Sequence, residues 1–359
     1  MQSLRVDLGP RSHEVHVGAG LLDELGATVR RAGLGGIGAA LITDTNVARH
    51  YATRAVESLK RANFAPTVIE IAPGEASKSL ATLATVYDRM TAAEIDRAGV
   101  VIALGGGVVG DLAGFAAATY LRGIAVVQVP TTVVAQVDSA LGGKTGVNHP
   151  RAKNLIGAFH QPRAIVADVA TLATLPEREY REGFAEVIKY GAIMDAAMIS
   201  DLERDLDRIA GRDAAILEAV VARSLMHKAA IVAADERETG IRKILNFGHT
   251  LGHALEASAG YGRYLHGEAV AIGMAAAAAL SEQRAGLDGR EAARLVRLIE
   301  RAGLPTAMPP EAFRDADFIS ALRLDKKRAD GGIEFVLLDH LGHALTRKLG
   351  VSEILSSFA

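Results

Sequence analysis

Three histidines and several carboxylates gather in a small fraction of this chain, and their types and spacing suit a divalent cation. Asn246-Phe247-Gly248-His249-Thr250-Leu251-Gly252-His253 sets two histidines at i and i+4, and His266-Gly267-Glu268 follows a Gly/Tyr-rich loop. Upstream, Arg181-Glu182-Gly183-Phe184-Ala185-Glu186-Val187-Ile188-Lys189 puts Glu182, Glu186 and Lys189 on one face of an expected helix by i, i+4 and i+3 spacing. The chain has no cysteine, so thiolate ligands, disulfides and cysteine nucleophiles are excluded together. One carboxylate with two imidazoles suits Zn²⁺, Co²⁺ or Fe²⁺ and leaves coordination positions for substrate oxygens. Spacing alone pairs His249 with His253, but it does not decide which two of the three histidines bind.

Two further segments suit anions. Leu104-Gly105-Gly106-Gly107-Val108-Val109-Gly110-Asp111 follows an apolar run and opens a helix, and Gly105, Gly107 and Gly110 fit G-x-G-x-x-G. Glycines let backbone approach a phosphate, and a helix N-terminus offers unpaired N–H groups. The pattern alone is weak, since a tight strand-to-helix turn reads the same way. Asp44, at the end of an early strand, could take ribose hydroxyls, or cap the helix that follows Thr43-Asp44-Thr45-Asn46. Asp138-Ser139-Ala140-Leu141-Gly142-Gly143-Lys144-Thr145-Gly146-Val147-Asn148, with Lys153-Asn154, combines cations, amides and glycines suited to a phosphate or carboxylate. It is not a nucleotide-triphosphatase loop, because Asp138 stands where G-x-x-x-x-G-K-[ST] needs its first glycine.

The elements that must position these residues divide into two textures. In the first half, apolar runs at Ala39–Thr43, Thr67–Ile71, Val100–Leu104 and Val126–Val129 alternate with helical stretches such as Val47–Ala62 and Leu80–Ala92. Such alternation implies a parallel sheet covered on both faces, with ligands beyond the carboxyl ends of its strands. Asp44, the Pro73–Lys78 turn, the glycine cluster and Thr131-Thr132 all fall there. From about Thr171 long helical patterns take over (178–190, 214–234, 249–259, 268–285), with few strand signals until Ile333–Leu338. The expectation is therefore a Rossmann-like α/β domain over 1–170 and a mainly α-helical domain over 171–359, a division natural for 359 residues. With 40 basic and 42 acidic residues the chain lacks the basic footprint of a nucleic-acid binder. Met1–Gly20 reads as two strands around a Gly9-Pro10 turn with no apolar signal core, and the longest apolar stretch, Ala269–Leu280, is too short to span a membrane. A cytoplasmic protein is expected.

From about Asp44 to Leu338 the chain resembles the 3-dehydroquinate synthase family, within the sugar-phosphate cyclases and iron-type polyol dehydrogenases. The likeness rests on Pro73-Gly74-Glu75-x-x-Lys78-Ser79, Gly105–Asp111, Gln128-Val129-Pro130-Thr131-Thr132, Asp138–Pro150 with Lys153-Asn154, Leu175-Pro176-x-Arg178-Glu179, Ala185–Lys189, Asn246–His253 and His266-Gly267-Glu268-Ala269-Val270. The resemblance implies that Glu186, His249 and His266 hold a divalent metal, zinc or cobalt, while His253 turns to substrate. It implies NAD contacts at Asp44; at Pro73, Gly74, Glu75, Ala76, Ser77 and Lys78; at Gly107, Val108, Val109, Gly110 and Asp111; at Thr131 and Thr132; at Lys144 and Lys153; and at Thr171, Leu172, Ala173 and Thr174. It implies catalytic contacts from Asp138, Lys144, Asn154, Lys189, Lys228, Arg242, Asn246 and His253, with Arg122 reaching a neighbouring subunit's site in a homodimer.

The implied reaction converts 3-deoxy-D-arabino-heptulosonate 7-phosphate to 3-dehydroquinate and phosphate, by transient oxidation, phosphate elimination, reduction, ring opening and aldol closure. Rival readings are a cyclase for another sugar phosphate, a metal-dependent polyol dehydrogenase giving net NADH, and a non-catalytic ligand-binding regulator.

Overall fold

The computed structural model describes residues 1–150, 152–260, 262–326 and 332–358. The chain forms two compact units, one of Met1–Pro176 with Arg212–Glu236 and the other of Glu177–Gly211 with Arg237–Ala359.

The first unit is built on a seven-stranded sheet. Its strands are β1 (Gln2–Val6), β2 (His13–Gly18), β3 (Gly38–Asp44), β4 (Ala65–Ile71), β5 (Val100–Gly105), β6 (Ala125–Pro130) and β9 (Ala164–Asp168), in the order β1-β2-β9-β6-β5-β3-β4. All pairings are parallel except β1 with β2. Helices α1 (Leu25–Arg31), α2 (Thr45–Arg61), α3 (Leu80–Ala92) and α4 (Gly107–Thr119) cover it. Alternate residues of one strand feed separate cores. Ala40 and Ile42 of β3 join Leu83, Val86 and Leu112 on one face, whereas Ala39 and Leu41 join Leu25, Val29 and Leu59 on the other. Both faces being covered explains why these strands are continuously apolar.

The order has a reversal. From β3 the chain crosses to β4 on one side and then to β5 on the other, so the carboxyl ends of β3 and β5 meet at a switch point, where such sheets bind ligands. Register pairs Thr43 with Leu104, which sets Asp44 beside Gly105. A hairpin of β7 (Lys144–His149) and β8 (Ala152–Phe159) stands apart from the main sheet, in a segment whose sequence mixes glycines and polar groups with the short apolar stretch Leu155–Phe159.

The expected single boundary at residue 170 is corrected by helix α8 (Ala214–Ala234). Its sequence reads as one more helix of the α-rich half, yet it packs on β1 and β2 and buries Leu217, Val221, Leu225 and Val232. The apolar face of that antiparallel edge needs a cover, and α8 supplies it.

The second unit is helical: α5 (Glu177–Glu182), α6 (Phe184–Met194), α7 (Ala196–Ala210), α9 (His249–Ala259), α10 (His266–Ala285), α11 (Gly289–Arg301), α12 (Ala316–Lys326) and α13 (Val351–Ser356), with a hairpin of β10 (Ile333–His340) and β11 (His343–Leu349). Helix α10 is buried almost all round, including Ala275–Ala278, so its alanines serve close packing. Glycines bring α9 against α10. A Cβ on Gly273 would lie 2.0 Å from the Gly248 carbonyl oxygen, and one on Gly252 would lie 2.9 Å from the Ala269 carbonyl oxygen. Gly248, at the start of α9, has φ +80°, a conformation strained for any other residue. No described helix is long and apolar enough to cross a membrane.

Candidate metal centre and dinucleotide-binding residues

In the second unit, three side chains from three helices converge. One ligand atom each of Glu186 (α6), His249 (first residue of α9) and His266 (first residue of α10) lies within 4.8 Å of the others. The Nε2 atoms of His249 and His266 face the same Glu186 oxygen, Oε1, at 3.4 and 3.3 Å. The i, i+4 partner His253 is exposed, its ring 5.3 Å from that of His249 and 5.9 Å from that of His266. The naive pairing of His249 with His253 is therefore not the one that meets Glu186.

The orientation of each imidazole has a cause. His249 Nδ1 lies 3.2 Å from the Phe247 carbonyl oxygen, which can only accept, so Nδ1 carries the proton and Nε2 presents its lone pair. His266 Nδ1 lies 3.5 Å from Glu256 Oε2. Glu186 is 1% exposed, and neither of its oxygens makes a well-formed hydrogen bond among the described residues. Its neighbours are the two imidazoles and the Lys189 ammonium, which pairs with Oε2. A buried carboxylate facing two oriented nitrogens is the donor set of a three-ligand site with open positions, so these residues fit a divalent ion.

Electrostatics oppose one another here. Burial raises the Glu186 carboxyl, but Lys189 and His249 outweigh it and hold the group well below the ordinary range. Burial and Lys189 lower His249. Burial also acts to lower His266, yet Glu186 and Glu256 overcome it and raise this imidazole to about 10. His266 therefore stabilises the metal-free fold fully below its ordinary 6.5 and loses that contribution as pH climbs towards 10. An ion needs this proton gone. Affinity should accordingly rise by about tenfold per pH unit between roughly pH 6 and 8, one proton being displaced per ion. Competition with a chelator of known proton linkage measures the slope, and a flat profile would contradict it.

The helix expected over 178–190 is divided at Gly183, and Glu182, although close enough to Glu186 to feel its charge, is not one of the three residues that converge on the site. It serves the next element instead: Glu182 Oε2 accepts from Gly267 N at 2.6 Å, the second residue of α10. A Cβ on Gly267 would strike the Glu182 carbonyl oxygen at 1.9 Å, so this glycine is required by contact. Arg178 closes the same corner, with Nε and Nη2 each 2.7 Å from Glu268. Lys189 and Arg242 are buried cations, and Asn246 donates to Glu238 Oε1 at 2.9 Å. None of Glu182's, Glu238's or Glu256's partnerships was signalled by spacing, since each joins separate elements or turns.

In the first unit most dinucleotide candidates follow the carboxyl ends of the main-sheet strands, while Lys144 and Lys153 lie on the β7–β8 hairpin. None of Gly105, Gly106 and Gly107 has a positive φ, so turn conformation does not require them, and close approach weighs on Gly105 and Gly106 more than on Gly107. A Cβ would meet Val109 at 2.6 Å from Gly105, Thr132 at 2.9 Å from Gly106 and Ser139 at 3.1 Å from Gly107. Gly110 packs on Gln128, whose Nε2 donates to the Gly110 carbonyl at 3.1 Å. The first turn of α4, with Val108 and Val109, thus presents bare N–H groups beside Thr131 and Thr132, a cradle that fits a pyrophosphate. Asp44 caps α2 through Asn46 N and Val47 N, at 2.8 and 3.0 Å, so its helix-capping alternative holds structurally.

One network joins cofactor and substrate candidates. Lys78, buried after the turn of Pro73, Gly74, Glu75, Ala76 and Ser77, pairs with Asp111 at 2.5 Å and donates to Asn154. Asn154 has φ +55° and donates its N–H to Asn148, whose amide meets Glu75 at 2.6 Å. Burial raises the Asp111 carboxyl and Lys78 opposes it. Lys78→Met should cost about 2 kcal/mol, reduced from a fully buried pair because Asp111 is partly exposed; urea unfolding gives the value, and a change under about 0.5 kcal/mol would count against the network.

Asp138 pairs with Lys228 of α8 at 2.8 Å. Lys144 opens β7 and Lys153 lies on β8. Thr171, Leu172, Ala173 and Thr174 form a 3₁₀ turn fixed by Tyr51 and by Arg212, which donates to the Leu172 and Ala173 carbonyls. Arg122 is exposed, with φ +69°.

Sequence profiles for the 3-dehydroquinate synthase N-terminal and C-terminal domains match residues 68–182 and 183–328. The chain belongs to the 3-dehydroquinate synthase family. It is 49% identical to the 3-dehydroquinate synthase of Geobacter metallireducens, covering 99% of this chain and 98% of that one. It is 51% identical to that of Symbiobacterium thermophilum, over 92% of each chain. Among solved structures, it is similar to a 2-deoxy-scyllo-inosose synthase complexed with carbaglucose-6-phosphate, NAD⁺ and Co²⁺ (TM-score 0.89, 26% identity, 99% of both chains). It is also similar to the 2-epi-5-epi-valiolone synthase of Streptomyces hygroscopicus with NAD⁺ and Zn²⁺ (TM-score 0.86, 28% identity, 96% of this chain and 95% of that one).

Proposed function

We propose that the chain converts 3-deoxy-D-arabino-heptulosonate 7-phosphate into 3-dehydroquinate and phosphate, as an NAD- and metal-dependent lyase in which NAD is regenerated at each turnover. Within the protein itself, the observation that carries this reading is the convergence of Glu186, His249 and His266 with both Nε2 atoms aimed at one carboxylate oxygen. Bound NAD supplies a hydride acceptor and donor, and a divalent ion held by those three residues acidifies neighbouring substrate hydroxyls.

The remaining roles belong to the chain's own groups. The first turn of α4 and the Lys78–Asp111 pair fix the dinucleotide, with Asp44 taking ribose hydroxyls and the Thr131-Thr132 and Thr171–Thr174 turns, Lys144 and Lys153 completing its contacts. Lys189 and Arg242, both buried, take the anionic groups of the substrate as phosphate departs. Asn246, oriented by Glu238, and the exposed ring of His253 meet substrate hydroxyls. Asp138, Lys144, Asn154 and Lys228 complete the substrate contacts. The departing phosphate itself takes the proton in elimination, so no dedicated base is needed there. We further assign the protein to the cytoplasm and to a homodimer in which Arg122 reaches the partner's site. Sedimentation at micromolar concentration tests the dimer.

The deciding experiment incubates metal-loaded protein with NAD and the heptulosonate phosphate and identifies the product by NMR. 3-Dehydroquinate with stoichiometric phosphate and no net NADH is expected. Steady NADH accumulation without phosphate release would assign a polyol dehydrogenase instead, and a different carbocycle from another sugar phosphate would assign a different cyclase.

A further inference from the structure

We propose that Glu256 is a positioning residue for the metal centre, acting through His266. This rests on the reading of Glu186, His249 and His266 as metal ligands. His266 presents two nitrogens in different directions: Nε2 towards Glu186 Oε1 at 3.3 Å, and Nδ1 towards Glu256 Oε2 at 3.5 Å. The two nitrogens of one imidazole diverge, so Glu256 lies on the side of the ring away from the Glu186 carboxylate. It holds the ring where Glu186 needs it without being a fourth ligand to the same ion.

Three observations support the role. Glu256 is only 9% exposed, an uncommon setting for a carboxylate unless it has work for its charge. It sits on α9 one turn beyond His253 and two turns beyond His249, so the helix that supplies one ligand also supplies the orienting group for another. The two imidazoles are then fixed by unlike devices, His249 by the Phe247 carbonyl and His266 by a carboxylate. A carboxylate on Nδ1 selects the tautomer that leaves the Nε2 lone pair for the ion and makes that nitrogen a stronger donor, whereas a carbonyl fixes the tautomer with less electron push. His266 begins α10 directly after a loop, and its ring is more exposed than that of His249. It is the ligand whose orientation most needs a second hold.

The test measures affinity of the apo chain for Co²⁺ by chelator competition, together with the visible spectrum of the cobalt form, in wild type, Glu256→Gln and Glu256→Ala. Orienting groups of this kind change metal affinity by about 10–100-fold. Glu256→Ala should bind Co²⁺ about 10–100-fold more weakly with an altered cobalt spectrum. Glu256→Gln keeps the volume and a hydrogen-bond acceptor but not the charge, so it should recover part of that loss while remaining weaker than wild type. It also keeps the measurement available if the alanine variant does not fold. Wild-type affinity and spectrum in Glu256→Gln, or in a folded Glu256→Ala, would overturn the inference. If wild type itself binds no Co²⁺, the reading of the three ligands fails first, and the two failures are thereby separated.

Discussion

His266→Ala should lose metal binding and turnover together, with kcat/KM falling by about a thousandfold or more. A Lewis-acid ion contributes several kcal/mol to the transition state, and each 1.36 kcal/mol is a factor of ten. The alanine removes one of three protein donors and leaves Glu186 buried with fewer partners. Circular dichroism should show an intact fold, because His266 lies at the start of α10 and not in its buried interior. Metal content by emission spectroscopy and phosphate release are the paired measurements. Full turnover in a variant that holds no metal would refute the ligand assignment.

Gly273→Val should damage the same centre from a distance. Position 273 is two turns into α10, and even its first added carbon would stand 2.0 Å from the Gly248 carbonyl oxygen. That atom is backbone, so the helices must separate. Overpacking costs about 1–3 kcal/mol, and with rigid backbone on the other side about 3 kcal/mol is expected here. The displacement would carry Phe247, Gly248 and His249 away from His266, so affinity for Co²⁺ should fall even in molecules that remain folded. Leu280→Ala, a cavity further along α10, should destabilise by about 2–5 kcal/mol yet leave the affinity of the folded fraction near wild type. Equal affinity in wild type and Gly273→Val would show that the glycine contacts do not set the ligand geometry.

The legibility of this fold in its sequence follows from which physics each element uses. Strands β3 to β6 are visible because both faces of the sheet are covered, and continuous apolar runs are what such burial demands. The hairpin of β7 and β8 is invisible to that rule. Its residues pair through backbone in a segment where glycine, asparagine and lysine interrupt the apolar Val147 and Leu155–Phe159, so neither a long apolar run nor a clean alternation marks the strands. The break between α5 and α6 was equally concealed, because i, i+4 spacing continues across Gly183 while the helix does not. Composition announced a metal centre, since three histidines and several carboxylates gathered together have few bland explanations, but the set of Glu186, His249 and His266 came only from the family resemblance. Which imidazole turns inward depended on the packing of α9 on α10, and periodicity carries no information about that. Glu256 escaped notice for the same reason: its partner lies across a loop and not along a helix.

Helix α8 has a consequence for dissecting this protein. Because Arg212–Glu236 cluster with the sheet-containing unit, the polypeptide passes from one unit to the other three times, after Pro176, Gly211 and Glu236. Neither half exists as one uninterrupted stretch. A fragment ending near 176 would carry every strand of its main sheet but leave β1 and β2 stripped of α8, and would present Asp138 without the Lys228 ammonium. Shuffling a cofactor half and a metal half among relatives would therefore demand two extra junctions, which ties the inheritance of the two halves together.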